Sequence, residues 1–262
     1  MKLVWLTDLH YMAEGGLSGF DPRARLEAAV RDIDQHYRDC DLCIISGDLV
    51  DQPGPLEYAG VVAALERLPM PYHAMMGNHD GYDLWRTAFA LPHGAMEGFA
   101  QFSLATEAGL LVCLDTTNPG ADAGHLCEAR LDWLRGVLKE AEGSVYIFMH
   151  HPPISLGLPL LDEIGLQNAD AFLDVLQEAG NVGHIFAGHV HQSISGNVRG
   201  IPFTIAQSTV YQSRPPRPDW DWDSFTPAPV APSYAVIDFE ADRVVVHTQP
   251  FCDVDFARLD VP

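Results

Sequence analysis

The chain has 262 residues, 47% hydrophobic and 19% charged, with a mean hydropathy of zero; it can bury a sizeable core without staples, and no apolar run approaches the roughly 18 residues of a membrane-spanning helix. Its 36 acidic residues against 15 basic ones give a net charge of −21, which argues against duplex nucleic acid and anionic membrane as partners, since neither would release counterions onto such a surface. Five cysteines in no regular framework fit a reducing compartment, and Met1-Lys2-Leu3-Val4-Trp5-Leu6 lacks the apolar length and cleavage site of a leader, so a cytoplasmic location without stable membrane anchoring is expected.

Leu3-Val4-Trp5-Leu6 reads as a first strand, and Asp21-Pro22 opens a helix to about Arg38 with Leu26, Ala29, Val30 and Ile33 on one side. A second apolar strand, Leu42 to Ile45, stops at Ser46-Gly47-Asp48. A helix from about Pro55 to Leu68 and a third strand, Tyr72 to Met76, follow, the strand stopped by Gly77-Asn78. Strands apolar on both faces in a βαβαβ rhythm predict a parallel sheet covered by helices. Cys40-Asp41-Leu42-Cys43 is formally C-x-x-C but runs into a strand instead of opening a helix, so a buried structural role is favoured over redox or metal roles.

Further strands are expected near Ala100 to Leu104 and Leu110 to Leu114, then a helix from Glu128 to Glu140 that buries Leu131, Leu134 and Leu138. The strand Val145 to Phe148 ends at His150, and a helix from Ala169 to Ala179 leads to a strand ending at Ala187-Gly188-His189. Ile194 to Val198 and Phe203 to Gln207 flank Arg199-Gly200 as a hairpin, and Tyr234 to Phe239 and Arg243 to His247 close the chain. The whole is read as one domain, 1–262, with a C-terminal extension from about 211 that completes a sheet and supplies a covering loop.

The chemistry-bearing residues sit where strands stop: Asp8 and His10, Asp48, Asn78 and His79, His150, then His189 and His191. In an open α/β sheet the carboxyl ends of parallel strands line one crevice, so these segments can converge. Asp8-Leu9-His10 and His189-Val190-His191 are each read as extended, with period-two alternation aiming two side chains the same way. Together with Asp48 and Asn78 they supply oxygen and nitrogen ligands without sulfur, a set suited to divalent manganese, iron, cobalt or zinc.

Asp8-Leu9-His10, Gly47-Asp48-Leu49-Val50-Asp51, Gly77-Asn78-His79-Asp80, His150 and Gly188-His189-Val190-His191 resemble, in order and spacing, the five signature blocks of calcineurin-like metallophosphoesterases. Met149-His150-His151-Pro152-Pro153 and the hairpin after His191 resemble the bacterial class III cyclic-nucleotide and glycerophosphodiester phosphodiesterases. The resemblance implies a metallophosphoesterase-type α/β sandwich, central sheets flanked by helices. It also implies two divalent ions, one on Asp8, His10, Asp48 and His191, the other on Asp48, Asn78, His150 and His189. His79 would stay off the metals as a catalytic group near the phosphate, and Asn78 and His191 would also face the substrate. The implied reaction is hydrolysis of a small phosphodiester by metal-activated hydroxide. Asn78 is the weaker donor, so the second ion is expected to be the more labile.

Rival readings are a phosphomonoesterase or protein phosphatase, and a non-catalytic binding module on the same fold. Protein phosphatases of the family place Arg-Gly after the second aspartate of the Gly-Asp block, where this chain reads Asp51-Gln52-Pro53, which favours a diester. The binding modules lose ligands that are all present here. His151 and Asp51 are expected to support the site without ligating, and Asp80 to cap a helix beginning near Gly81. The loop Tyr11 to Phe20 is either a connection or a wall of the substrate pocket. Trp220-Asp221-Trp222 either covers the site or packs against another subunit of a homo-oligomer.

Overall fold

Alternation along β1 (Lys2–Leu6) sets the architecture: Leu3 and Trp5 pack into one apolar layer, Val4 and Leu6 into another, and all four are fully buried. A strand buried on both faces must be covered on both. The computed structural model describes residues 1–214, 221–222 and 225–252, so Trp220 and the last ten residues of the expected C-terminal extension lie outside the described residues.

After β1 come α1 (Pro22–His36), β2 (Leu42–Ile45), α2 (Pro55–Leu65), β3 (Tyr72–Ala74) and α3 (Tyr82–Ala88). They are followed by β4 (Phe102–Thr106), β5 (Gly109–Cys113), α4 (Glu128–Glu140), β6 (Val145–Met149), α5 (Pro159–Glu163), α6 (Ala169–Ala179) and β7 (Val182–Ala187). The strands β8 (Ile194–Val198), β9 (Ile201–Ile205), β10 (Ser233–Glu240) and β11 (Arg243–Pro250) complete the order.

Two sheets form, ordered β11-β10-β1-β2-β3 and β4-β5-β6-β7-β9-β8. Trp5, Ile44 and Ile237 of the first meet Phe148 and Phe186 of the second between the layers, with Trp5 edge-on to both phenylalanines. The outer face of the first sheet buries Leu26, Val30 and Ile33 of α1 and Val61 and Leu65 of α2. That of the second buries Leu131 and Leu134 of α4 and Phe172 and Leu176 of α6. The expected sandwich of central sheets between helices is therefore present. The βαβαβ segment forms the expected parallel set β1-β2-β3, to which β10 and β11 add antiparallel; in the second sheet β5-β6-β7-β9 run parallel and β4 and β8 pair antiparallel at the edges. Short hairpin connections join β4 to β5, β8 to β9 and β10 to β11.

Local chemistry explains the boundaries. The Asp21 side chain accepts a hydrogen bond from the Ala24 amide at 3.1 Å and Pro22 takes the first turn, so α1 starts where the sequence predicts. α2 ends at Leu65, three residues short of the expectation, because Arg67 and Leu68 bond three residues back in a tightened turn ahead of Pro69. The β8–β9 hairpin turns on Arg199 and Gly200 with φ of 50° and 90°, the left-handed pair of a two-residue turn matched to strand twist. Cys40 and Cys43 are buried and unpaired, and burial pushes the Cys40 thiol up to about 11 and the Cys43 thiol higher still. Neither is poised as a reactive thiolate. Among the described residues no helix is long and apolar enough to cross a membrane.

Candidate metal centre

The loops at the carboxyl ends of β1, β2, β3, β6 and β7 bring all eight expected residues together. The segments that carry them are not extended. Asp8, His10, Asp48, His189 and His191 have φ of 53°, 40°, 50°, 74° and 51°, a left-handed conformation that costs a non-glycine residue about 1–3 kcal/mol unless its surroundings enforce it. The anchors are visible. Leu9 and Val190, between the paired residues, are buried in the two cores, and the Asp8 and His10 amides donate to the Gly47 and Asp48 carbonyls at 3.0 and 2.9 Å. The same-side projection expected for each pair thus arises from anchored, strained loops instead of strand alternation.

Asp48 stands at the middle. Its Oδ1 accepts from the His79 amide at 3.0 Å. Its Oδ2 faces His10 Nε2 at 3.5 Å on one side and His150 Nε2 at 3.2 Å on the other. On the first side His10 Nε2 lies 3.1 Å from His191 Nε2, which lies 3.4 Å from Asp8 Oδ1. On the second, His150 Nε2 lies 3.2 Å from Asn78 Oδ1 and 3.3 Å from His189 Nδ1. Ligand atoms held about 2.0–2.2 Å from one ion sit roughly 3.0–3.5 Å from each other, the spacing seen in both groups. Gly77 permits it, since a Cβ there would stand 2.5 Å from the Asp48 amide nitrogen and 2.8 Å from His150 Nε2.

Proton placement supports the same reading. His191 Nδ1 donates to the Tyr211 carbonyl at 3.1 Å and His150 Nδ1 to the Ser46 carbonyl at 3.0 Å, while His10 Nδ1 faces Asp51 Oδ1 at 3.4 Å. Those three outward nitrogens face oxygen atoms, which leaves the inward nitrogen of each neutral ring to present a lone pair toward the carboxylate oxygens, while the outward Nε2 of His189 is buried without a hydrogen bond. Without a cation, a proton on His150 does the neutralising. Burial opposes a charge on His150, but Asp48 and Asp8 outweigh it and lift its pKa to about 9. For Asp48, burial is likewise outweighed, here by His150, His79 and His10, which hold its carboxyl well below the usual range. Burial, reinforced by His150, drives His189 down to about 3, leaving a neutral imidazole ready to ligate.

His79 is set apart. Its Nδ1 donates to the Asp51 carbonyl at 2.8 Å and its ring stands edge-on to His10 at 4.6 Å, while His79 lines a cavity of about 190 Å³ above the cluster. Burial lowers its pKa, but Asp48 and the Asp51 carbonyl win and raise it. Asp51 therefore steadies two histidines. His151 has both ring nitrogens engaged, Nδ1 by the Thr116 hydroxyl at 2.7 Å and Nε2 by the Asp122 carbonyl at 3.0 Å, and its ring packs 4.7 Å from that of His189. It braces the cluster without facing it.

One expectation fails, and one choice left open by the sequence is decided. Asp80 does not cap α3: its Oδ2 accepts from the Gly77 and Leu49 amides and its Oδ1 from the Tyr58 hydroxyl, tying the β2 and β3 loops together. The loop from Tyr11 to Phe20 contributes no cavity wall, because Tyr11 is buried against Gly60 in the core. The cavity is instead walled by Leu161, Ile164, Tyr211, Ser213, Trp222 and Phe225. Of these, Tyr211, Ser213, Trp222 and Phe225 lie in the extension from about 211 that the sequence marked as supplying a cover, while Leu161 and Ile164 were not marked. The Tyr211 carbonyl that orients His191 had no sequence signal, since a backbone oxygen is common to every residue type.

Residues 1–193 match the model of the calcineurin-like phosphoesterase family. The chain is 38% identical over 260 residues to a probable cyclic nucleotide phosphodiesterase of Rhodopseudomonas palustris, spanning 96% of this chain and 93% of that one. It is 30% identical over 231 residues to the 3′,5′-cyclic adenosine monophosphate phosphodiesterase of Pseudomonas aeruginosa, spanning 86% of this chain and 82% of that one. Among solved structures it is similar in fold to a dimetal phosphatase from Danio rerio, with a TM-score of 0.69, 15% identity and 96% of each chain covered.

Proposed function

This chain belongs to the calcineurin-like phosphoesterase family, and from that premise we propose that it is a metal-dependent phosphodiesterase that hydrolyses a small diester. The observation that carries the proposal is Asp48 Oδ2, which lies within 3.5 Å of a histidine nitrogen of each group of ligand atoms. Asp8, His10, His191 and Asp48 would hold one divalent ion, and Asp48, Asn78, His150 and His189 the other. The donor set fits manganese, iron, cobalt or zinc. Bound there, the ions supply Lewis acidity toward phosphate oxygens and lower the pKa of water.

The chain's own residues do the rest. Asp48, fixed through Oδ1 by the His79 amide, keeps the two halves in register. His79, with Nδ1–H committed to the Asp51 carbonyl, turns Nε2 toward the cavity, where a raised pKa suits it to protonate a departing alkoxide. Among the described residues that wall the cavity there is no arginine or lysine. A dianionic monoester would gain most from such cations, so their absence favours a singly charged diester. The names of the relatives make a 3′,5′-cyclic nucleotide the first substrate to test.

The deciding assay compares a cyclic nucleotide and a bis-aryl phosphate with the corresponding mono-aryl phosphate, before chelation, after it, and with manganese, cobalt or zinc restored. Diester turnover that stops on chelation and returns with metal is expected; faster monoester turnover, or indifference to chelation, would overturn the reading. Calorimetric titration of the metal-free protein should show two unequal steps, the weaker belonging to the group that includes neutral Asn78. Two equal affinities would contradict that assignment.

A further inference from the structure

We propose that the cavity selects its diester by clamping a planar ring, such as a nucleobase, between Leu161 and Ile164 on one wall and Tyr211, Phe225 and Trp222 on the other. The proposal rests on the phosphodiesterase reading for the phosphate end of the ligand. The cavity lining combines two chemistries: the candidate metal and phosphate groups, among them His10, Asp48, Asn78 and His79, and these five apolar or aromatic residues. Rings run in contact from the candidate metal ligands to the rim. His10 and His191 lie 5.0 Å apart, His191 and Tyr211 4.7 Å, and Tyr211 and Phe225 5.6 Å, centroid to centroid. A ligand whose phosphate meets the histidines must therefore pass its alcohol group along aromatic faces.

Trp222 strengthens the argument. Of the large apolar side chains left exposed among the described residues, Leu56, Trp222 and Val230, only Trp222 lines this cavity, and it is 52% exposed. The opposite wall is held in place by one carboxylate. Asp162 accepts from the Ser155 hydroxyl at 2.6 Å and from the Leu156, Gly157 and Leu158 amides at 2.8, 3.0 and 3.1 Å, fixing the turn of α5 that presents Leu161 and Ile164. Aliphatic and aromatic side chains sharing one cavity suit a flat, apolar-faced group. A quaternary ammonium would call for aromatic faces on several sides, and a second anionic group would call for cations that this wall lacks.

Binding to the manganese-loaded protein tests this with adenosine 5′-monophosphate, ribose 5-phosphate, which has the same sugar and phosphate without the base, and phosphocholine. Adenosine 5′-monophosphate is expected to bind about tenfold tighter than ribose 5-phosphate, and Phe225→Ala and Trp222→Ala should each cut that preference to about twofold or less, the loss of one base–aromatic stack. Trp222, half in solvent, can be truncated without emptying the core. Equal affinities in the wild-type protein, phosphocholine binding tightest, or a preference unmoved in both variants would overturn the clamp. A preserved adenosine preference in a protein that hydrolyses no diester would instead overturn the phosphodiesterase reading and leave the clamp standing.

Discussion

Replacing Asp48 by alanine is expected to strip both ions from the protein and to lower phosphodiester turnover by at least about 10³-fold, since several kcal/mol of transition-state stabilisation would go with them. The reason is geometric. Asp48 Oδ2 is the atom common to both ligand groups, at 3.5 Å from His10 Nε2 and 3.2 Å from His150 Nε2. Asp48→Asn separates charge from shape. The amide oxygen can still accept from the His79 amide, as Oδ1 does at 3.0 Å, but the other position becomes an NH₂ group with no lone pair to share. Elemental analysis should therefore find metal depleted in both variants while circular dichroism stays native. If the asparagine variant kept two ions and near-normal turnover, Asp48 would not be the bridge.

His79→Ala is expected to behave in the opposite way, retaining metal but slowing hydrolysis by about 10²- to 10⁴-fold, the usual worth of a positioned proton donor. The hydrogen bond from His79 to Asp48 comes from its backbone amide, and its ring meets His10 edge-on, so removing the ring keeps that hydrogen bond and is expected to leave the ligand atoms in place. The deficit should depend on the leaving group. An alkoxide needs a proton and a 4-nitrophenolate barely does, so the variant should lose much more activity on a cyclic nucleotide than on bis(4-nitrophenyl) phosphate. Equal losses on the two substrates would assign His79 to phosphate positioning instead of proton transfer.

The parts of this account that were legible in the sequence share a physical cause. Leu42 to Ile45 and Val145 to Phe148 are apolar runs cut off by polar residues, and a buried strand in a layered α/β fold leaves that trace whatever surrounds it. The histidines and aspartates were found because ligation depends on residue type. What escaped depends on conformation. Asp8, His10, Asp48, His189 and His191 adopt positive φ, and nothing in their identities distinguishes an anchored left-handed loop from an extended one. α5 spans five residues, too short for helical periodicity to register. The composition of the glycine-rich loop after Tyr11 fits a connection as well as a pocket wall, and the choice rests on tertiary packing, which buries Tyr11 against Gly60 beneath α2. Asp80 looked like a cap from its place before a helix and serves as a tie between two loops, because buried amides at Leu49 and Gly77 lie within its reach.

Anomalous diffraction from a crystal of the protein soaked in manganese tests the central claim most directly. The account predicts two peaks flanking Asp48, one among Asp8, His10 and His191 and the other among Asn78, His150 and His189. A single peak remote from Asp48, or no peak in this cluster at saturating manganese, would contradict it.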